Sequence, residues 1–388
     1  MHTRRNGNAR GCSPEVNMKR KYRWGLRLSA PGLALLTIAA GNVTLAAGQS
    51  FIGPFNTVTG ISTTVPSNGD LNPYGVARVP QSRGKLVKGN FLVSNFNNGA
   101  NLQGTGTTIV QIAPNGTFSL FAQIDADKVS CPGGIGLTTA LVALRRGYVV
   151  VGSLPTTDGT SATAKSGCLI VLDSRGNVVE TISGHNIKGP WDMIAVDGGR
   201  LAALFVTNVL NGTVAADGTV VRRGTVVRLL MSFRDHKPPQ LLNSDVVADG
   251  FPERTDPAAL VIGPTGVAFD DPSDTLYVAD SLNNRIAAIP NALFRKKPSH
   301  AGITISRGGK LNDPLGLALT PDRHLLAANG NNGKIVEVVP WNGHQVASKL
   351  VDDTGGPPPG AGALFGLVAV RGGVYFVDDA ANTFNLLH

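Results

Sequence analysis

Apolar residues in this chain fall in short runs of about four to eight, without the three-to-four spacing of an amphipathic helix. Six runs share one setting: a Gly or Pro turn, a short apolar strand, a tight turn, and a second strand ending in a small or polar residue. The first strands read Pro73-Tyr74-Gly75-Val76-Ala77, Gly134-Ile135-Gly136-Leu137, Pro190-Trp191-Asp192-Met193-Ile194-Ala195, Pro264-Thr265-Gly266-Val267-Ala268-Phe269, Pro314-Leu315-Gly316-Leu317-Ala318-Leu319 and Leu364-Phe365-Gly366-Leu367-Val368-Ala369. The second strands close on Asn95, Ser153, Asn208, Asp280, Asn329 and Asp378, where a polar side chain turns the chain. Third strands such as Thr108-Ile109-Val110-Gln111-Ile112 follow, and turns such as Pro114-Asn115-Gly116-Thr117 lead into outer ones.

The third residues of the first strands lie at 75, 136, 192, 266, 316 and 366, so the shortest repeat is 50 residues. That period fits a four-stranded propeller blade, with loop insertions where it lengthens. The reading is all-β: a six-bladed β-propeller of four-stranded antiparallel blades over residues 49–388, as a single domain. The sixth blade lacks an outer strand at the end of the chain. The extended segment Phe51 to Ile61 is expected to supply it, so that an N-terminal strand closes the ring and removes two exposed edges.

Composition changes the meaning of the charge. The chain has 388 residues and a formal charge of +9. Residues 1–48 hold eight basic groups against Glu15 alone, leaving the remainder at +2. A near-neutral domain without a basic stripe does not predict nucleic-acid binding. From Met18, an alternative start, a basic stretch runs into the apolar Leu33-Ala34-Leu35-Leu36-Thr37-Ile38-Ala39-Ala40 and then Ala46-Ala47-Gly48. This is the order of a cleaved secretory signal, and it predicts a secreted or periplasmic protein. An uncleaved anchor is the weaker reading, because Pro31-Gly32 and Gly41-Asn42 interrupt the run; no stable membrane span is expected after cleavage. Two cysteines remain, Cys131 and Cys168, and an even number in an oxidising compartment suggests one disulfide, with two buried thiols as the alternative.

One blade carries a motif. Pro264-Thr265-Gly266-Val267-Ala268, followed by Tyr277-Val278-Ala279-Asp280-Ser281-Leu282-Asn283-Asn284-Arg285-Ile286, resembles the NHL repeat, and blade 5 keeps its first half. The resemblance implies a six-bladed propeller, an architecture that hosts scaffolds, binders, lactonases and lyases alike. Gluconolactonase-like propellers, similar in architecture, hold a metal with a Glu, two Asn and an Asp. The only Glu residues beyond the signal, Glu180, Glu253 and Glu337, stand at no first-strand start. Streptogramin-lyase-like propellers use a His and a Glu, a role for which His185 is the candidate.

Polar residues closing the second strands should form a ring. Asn95, Asn208, Asp280, Asn329 and Asp378 are the oxygen donors there, and Ca²⁺ is the cofactor such a ring would take. The competing role is strand capping, with Asp280 paired to Arg285. Tyr74 and Trp191 are placed at the channel mouth, where aromatics stack on ligands or fill the core. Asp192 replaces the Gly of the other first strands; a buried carboxylate needs a partner or a cation, which makes it the first candidate for catalysis or binding. The long interval before blade 4, with Arg222-Arg223 and Phe251-Pro252-Glu253-Arg254, reads as a solvated excursion, with a partner surface as the alternative. Taken together, the expectation is a monomeric binding module for a small molecule or protein; the rival is a Ca²⁺-dependent lactonase-type hydrolase.

Overall fold

The computed structural model describes residues 49–234 and 237–388, and the proposed export signal lies outside the described residues. Six antiparallel sheets follow one another along the chain. Blade 1 is Leu71–Arg78, Phe91–Asn97, Thr108–Ile112 and Phe118–Gln123; blade 2 is Leu137–Ala143, Val149–Ser153, Cys168–Leu172 and Val178–Ile182. Blade 3 is Gly189–Asp197, Leu201–Val209, Val221–Ser232 and Gln240–Asp256, with Leu260–Ile262 added to the last. Blade 4 is Pro264–Asp270, Thr275–Asp280, Arg285–Pro290 and Ile303–Arg307, and blade 5 is Pro314–Leu319, Leu325–Asn329, Lys334–Val338 and Gln345–Leu350. Second strands such as Phe91–Asn97 and Val149–Ser153 are buried at every position. Both faces of a blade meet a neighbour there, which is why these strands read as continuous apolar runs. Outer strands such as Ile303–Arg307 are mostly exposed.

The ring closes through blade 6, where Leu364–Val370, Gly373–Asp378 and Thr383–Leu387 are joined by Val58–Thr63 in antiparallel register, Val58 opposite Leu387 and Thr63 opposite Thr383. The closing strand begins later than the expected Phe51. Ile52 is instead buried against the cores of blades 5 and 6. The Glu337 carboxylate accepts hydrogen bonds from Ser50 Oγ (2.6 Å), Phe51 N (2.8 Å) and Ile52 N (2.9 Å), and His324 Nδ1 lies 2.5 Å from it. The segment is thus clamped to blade 5 before it reaches blade 6.

Two local readings are corrected. The inner strand of blade 2 begins at Leu137, not Gly134. Gly136 lies in the preceding loop, where a Cβ would come within 2.4 Å of the Gly104 carbonyl oxygen. The register moves from Leu137 opposite Ser153 to Leu141 opposite Val151, so this strand carries two extra residues where the inner strands of blades 3 and 4 carry one, which the repeat spacing did not show. The insertion before blade 4 is a solvated excursion only in part: Arg222, Arg223 and Arg234 are exposed, but Phe251 and Glu253 are buried. The 17-residue strand Gln240–Asp256 runs past the end of its blade and turns back through Leu260–Ile262, which is buried at the centre of the ring. Cys131 and Cys168 are joined by a disulfide, Cα–Cα 5.4 Å, which ties the loop before blade 2 to its third strand. Among the described residues no helix is long and apolar enough to cross a membrane.

Candidate functional site

Inner strands of a propeller surround its axis, and here the axis is blocked at their starting ends. Tyr74, Trp191 and Phe365 are 3%, 4% and 2% exposed. Phe365 stacks on Tyr74 with ring centroids 3.8 Å apart, Phe96 covers the same ring at 4.6 Å, and Trp191 lies 6.3 Å from Phe365. Leu260, Val261 and Ile262 pack into this cluster, and Trp191 Nε1 donates to the Val261 carbonyl at 3.0 Å. Tyr74 and Trp191 therefore do not border an open mouth. They form a lid, because each ring gains more by burying its large apolar area than by waiting for a ligand.

One residue further along, the inner strands carry Gly75, Asp192, Gly266, Gly316 and Gly366; in blade 2 the register places Ala140 there, with Thr139 just before it. Close approach explains the glycines: a Cβ at Gly316 would lie 2.0 Å from the Phe365 carbonyl oxygen, and one at Gly366 would lie 2.4 Å from that of Tyr74. Asp192 uses its side chain where the others have none. Oδ1 accepts the Met193 N–H at 2.8 Å and Oδ2 accepts the Val267 N–H at 2.9 Å, so the carboxylate links blade 3 to blade 4. Burial pushes its pKa up to about 7, against the two N–H groups, which favour the charged form.

Beyond this level the axis opens into a cavity of about 330 Å³ to which all six blades contribute. Leu141, Met193, Val267, Leu317 and Leu367 are among its walls, Thr139 and Asp192 stand at its closed end, and Arg78 is at its mouth. Thr139 is 4% exposed and its hydroxyl has no hydrogen-bond partner.

The second-strand residues occupy matching places, each engaged in local contacts. Asn208 Oδ1 accepts from Lys188 N and Gly189 N, Asn329 Oδ1 from Asn312 N, and Asp378 Oδ1 from Ala381 N. Asn95 donates to the Thr64 carbonyl and to Thr108 Oγ1. Asp280 Oδ2 pairs with Arg285 Nε at 2.6 Å. Local hydrogen bonds, as strand capping requires, thus occupy part of this ring, while Asn95 Oδ1 and Asp280 Oδ1 are buried without a partner. Among the described residues no three His, Cys, Asp or Glu side chains converge as a metal cluster. His185 stands apart from Asp192, beside a depression lined by Glu180, Pro239 and Leu241, so the two do not share a site.

A second cavity, about 550 Å³, lies on the lid side and was not foreseen. Arg254, Asp256, Asn284 and Asp313 border it. Asp313 holds a left-handed backbone, φ 53°, and burial, with Asp256 nearby, pushes its carboxyl up to about 6. The available signal was Asn312-Asp313-Pro314, an acidic turn residue where blade 1 has Asn72, also left-handed at φ 58°.

No protein-family model matches this chain, and no curated protein matches it. Solved structures do. A gluconolactonase from Xanthomonas campestris is 14% identical with a TM-score of 0.50, over 84% of this chain and 88% of that one. The PQQ-bound aldose sugar dehydrogenase of Streptomyces coelicolor is 14% identical with a TM-score of 0.51, over 85% and 98%. A streptogramin B lyase is 12% identical over 86% and 97%, with a TM-score of 0.43. At such identities the likeness shows the fold alone: this chain is a six-bladed β-propeller of the architecture seen in gluconolactonase structures.

Proposed function

We propose that this protein is an exported ligand-binding propeller, acting in the periplasm or outside the cell, that takes a small molecule into the open half of its central channel. The observation that carries this reading is the channel itself. It is blocked at one end by Tyr74, Trp191 and Phe365, and its apolar walls end on two polar side chains, Thr139 and Asp192. A concave, mostly apolar site with a few convergent polar groups is the usual form of a small-molecule pocket. Export accords with the basic and apolar order of residues 18–48.

The test uses the anionic dye 1-anilinonaphthalene-8-sulfonate on the full chain, with Ala195→Phe as the channel-filling variant, since Ala195 lines the walls. Saturable one-site fluorescence is expected, lost in Ala195→Phe while its circular dichroism and melting remain native. Equal dye binding by a folded Ala195→Phe chain would place the site elsewhere. Fractionation of the producing cells checks export, with the chain expected in the periplasm or medium.

A further inference from the structure

We infer that the channel ligand is an elongated amphiphile, anionic at one end and carrying a hydroxyl or carbonyl oxygen at the other, with a single apolar chain between. This rests on the channel being a binding site and adds the chemistry of the occupant. Three features of the cavity carry it.

At the closed end, Thr139 lines the cavity and its buried hydroxyl has no partner. An unpaired buried hydroxyl is costly, whereas one paired with a ligand oxygen or hydroxyl is not. Beside it, each Asp192 oxygen accepts one backbone N–H, and a carboxylate has about four acceptor positions, so it can also take a ligand hydroxyl proton. The side chains of the walls between are mostly apolar and give a chain mainly apolar contact.

At the open end stands Arg78, exposed, bordering both the channel and an adjoining groove that also contains Arg371. Arg78 has no ion-pair partner among the described residues. Turns on the same face add Lys85, Lys88, Arg145 and Arg200. Acids share this face: Asp270 is held by Arg323 through two bonds of 2.8 and 2.6 Å, Asp197 accepts the Arg145 and Gly199 N–H groups, and Asp271, Asp274 and Asp322 stand in the turns of blades 4 and 5. Where Arg78 and Arg371 border it, the mouth favours an anion, and a planar guanidinium suits a carboxylate. Three residues of strand separate the level of Gly75 from Arg78, or about 10 Å. A chain of medium length spans that distance.

The probes are 8-hydroxyoctanoate, octanoate and 1,8-octanediol, titrated calorimetrically into the full chain. The hydroxy acid is expected to bind most tightly, about five- to tenfold better than octanoate for one hydrogen bond. Thr139→Val should erase that advantage and Thr139→Ser should keep it. Arg78→Gln should weaken both carboxylates about tenfold, remove most of their salt dependence, and leave the diol unchanged. If the diol binds as well as the acids, or if a folded Thr139→Val retains the preference, the assignment of the two ends is wrong although the channel remains a site. If no probe binds and the dye is also insensitive to Ala195→Phe, the channel reading itself fails.

Discussion

Asp192 shows how a single side chain can be read from sequence and still surprise. Its oddity was legible, because it interrupts a series of glycines at equivalent places. Its use was not, because the Val267 N–H that it accepts belongs to the next blade. Burial holds its folded pKa near 7, above the ordinary carboxylate value of 3.8, so the folded state binds the proton more tightly than the unfolded chain. The sign is then fixed: its contribution is most favourable below about pH 4 and is lost as pH rises toward 7. Asp192→Asn should flatten that part of the stability profile, by roughly 2–4 kcal/mol between pH 4 and 8. Denaturant unfolding of both chains across this range is the measurement, and parallel profiles would mean that Asp192 does not carry the shift. The glycines make the complementary case. Gly316→Ala should cost roughly 2–4 kcal/mol, since its Cβ meets a backbone oxygen that cannot move alone. Gly60→Ala, whose nearest neighbour is the end of the Asn385 side chain at 3.7 Å, should be close to neutral.

Among the elements, inner and second strands were legible wherever a turn residue led into an uninterrupted apolar run. Blade 2 was misread by a few residues because Gly134 and Gly136 imitate the Pro-x-Gly start of the other blades. The Leu260–Ile262 strand could not be read, since three apolar residues after a charged stretch have no periodicity to identify them. The Ser50–Ile52 clamp was equally hidden, because Glu337 meets it from 285 residues away. Burial alone would raise the pKa of Glu337, but hydrogen bonds from Ser50, His324, Ile52 and Phe51 hold it below 4.5. That stabilisation is present above the ordinary carboxylate range and is lost as pH falls through it. Glu337→Ala leaves two N–H groups and His324 without their acceptor, so a loss of about 3–5 kcal/mol is expected at pH 7 and much less at pH 3. Thermal melts at the two pH values check this. A loss of the same size at both would mean that packing, rather than charge, holds the clamp.

At the scale of the whole molecule, the repeat revealed six blades, but the total charge concealed how charge is sorted. A remainder of +2 suggested an unremarkable surface. The topology instead gathers Arg78, Lys85, Lys88, Arg145, Arg200 and Arg371 on the open face, beside Asp197, Asp270, Asp271, Asp274 and Asp322, and Asp256, Asp313, Asp352, Asp353, Asp378 and Asp379 on the lid face, beside Arg254, Lys310 and Lys334. Successive turns alternate between the two ends of a blade, so neighbouring stretches of sequence are separated in space. Ring closure follows the same logic, since the first described strand completes the last blade. Without residues 49–63, the strand Thr383–Leu387 becomes an unpaired edge and the Ser50–Ile52 clamp on blade 5 is lost as well. A chain lacking residues 49–63 should therefore melt earlier and self-associate through the exposed edge. A synthetic peptide of residues 49–63 should reverse both effects by adding back as a strand. Sedimentation velocity and melting, with and without the peptide, provide the measurement. A monomeric truncated chain with unchanged melting would show that the six blades hold together without the closing strand.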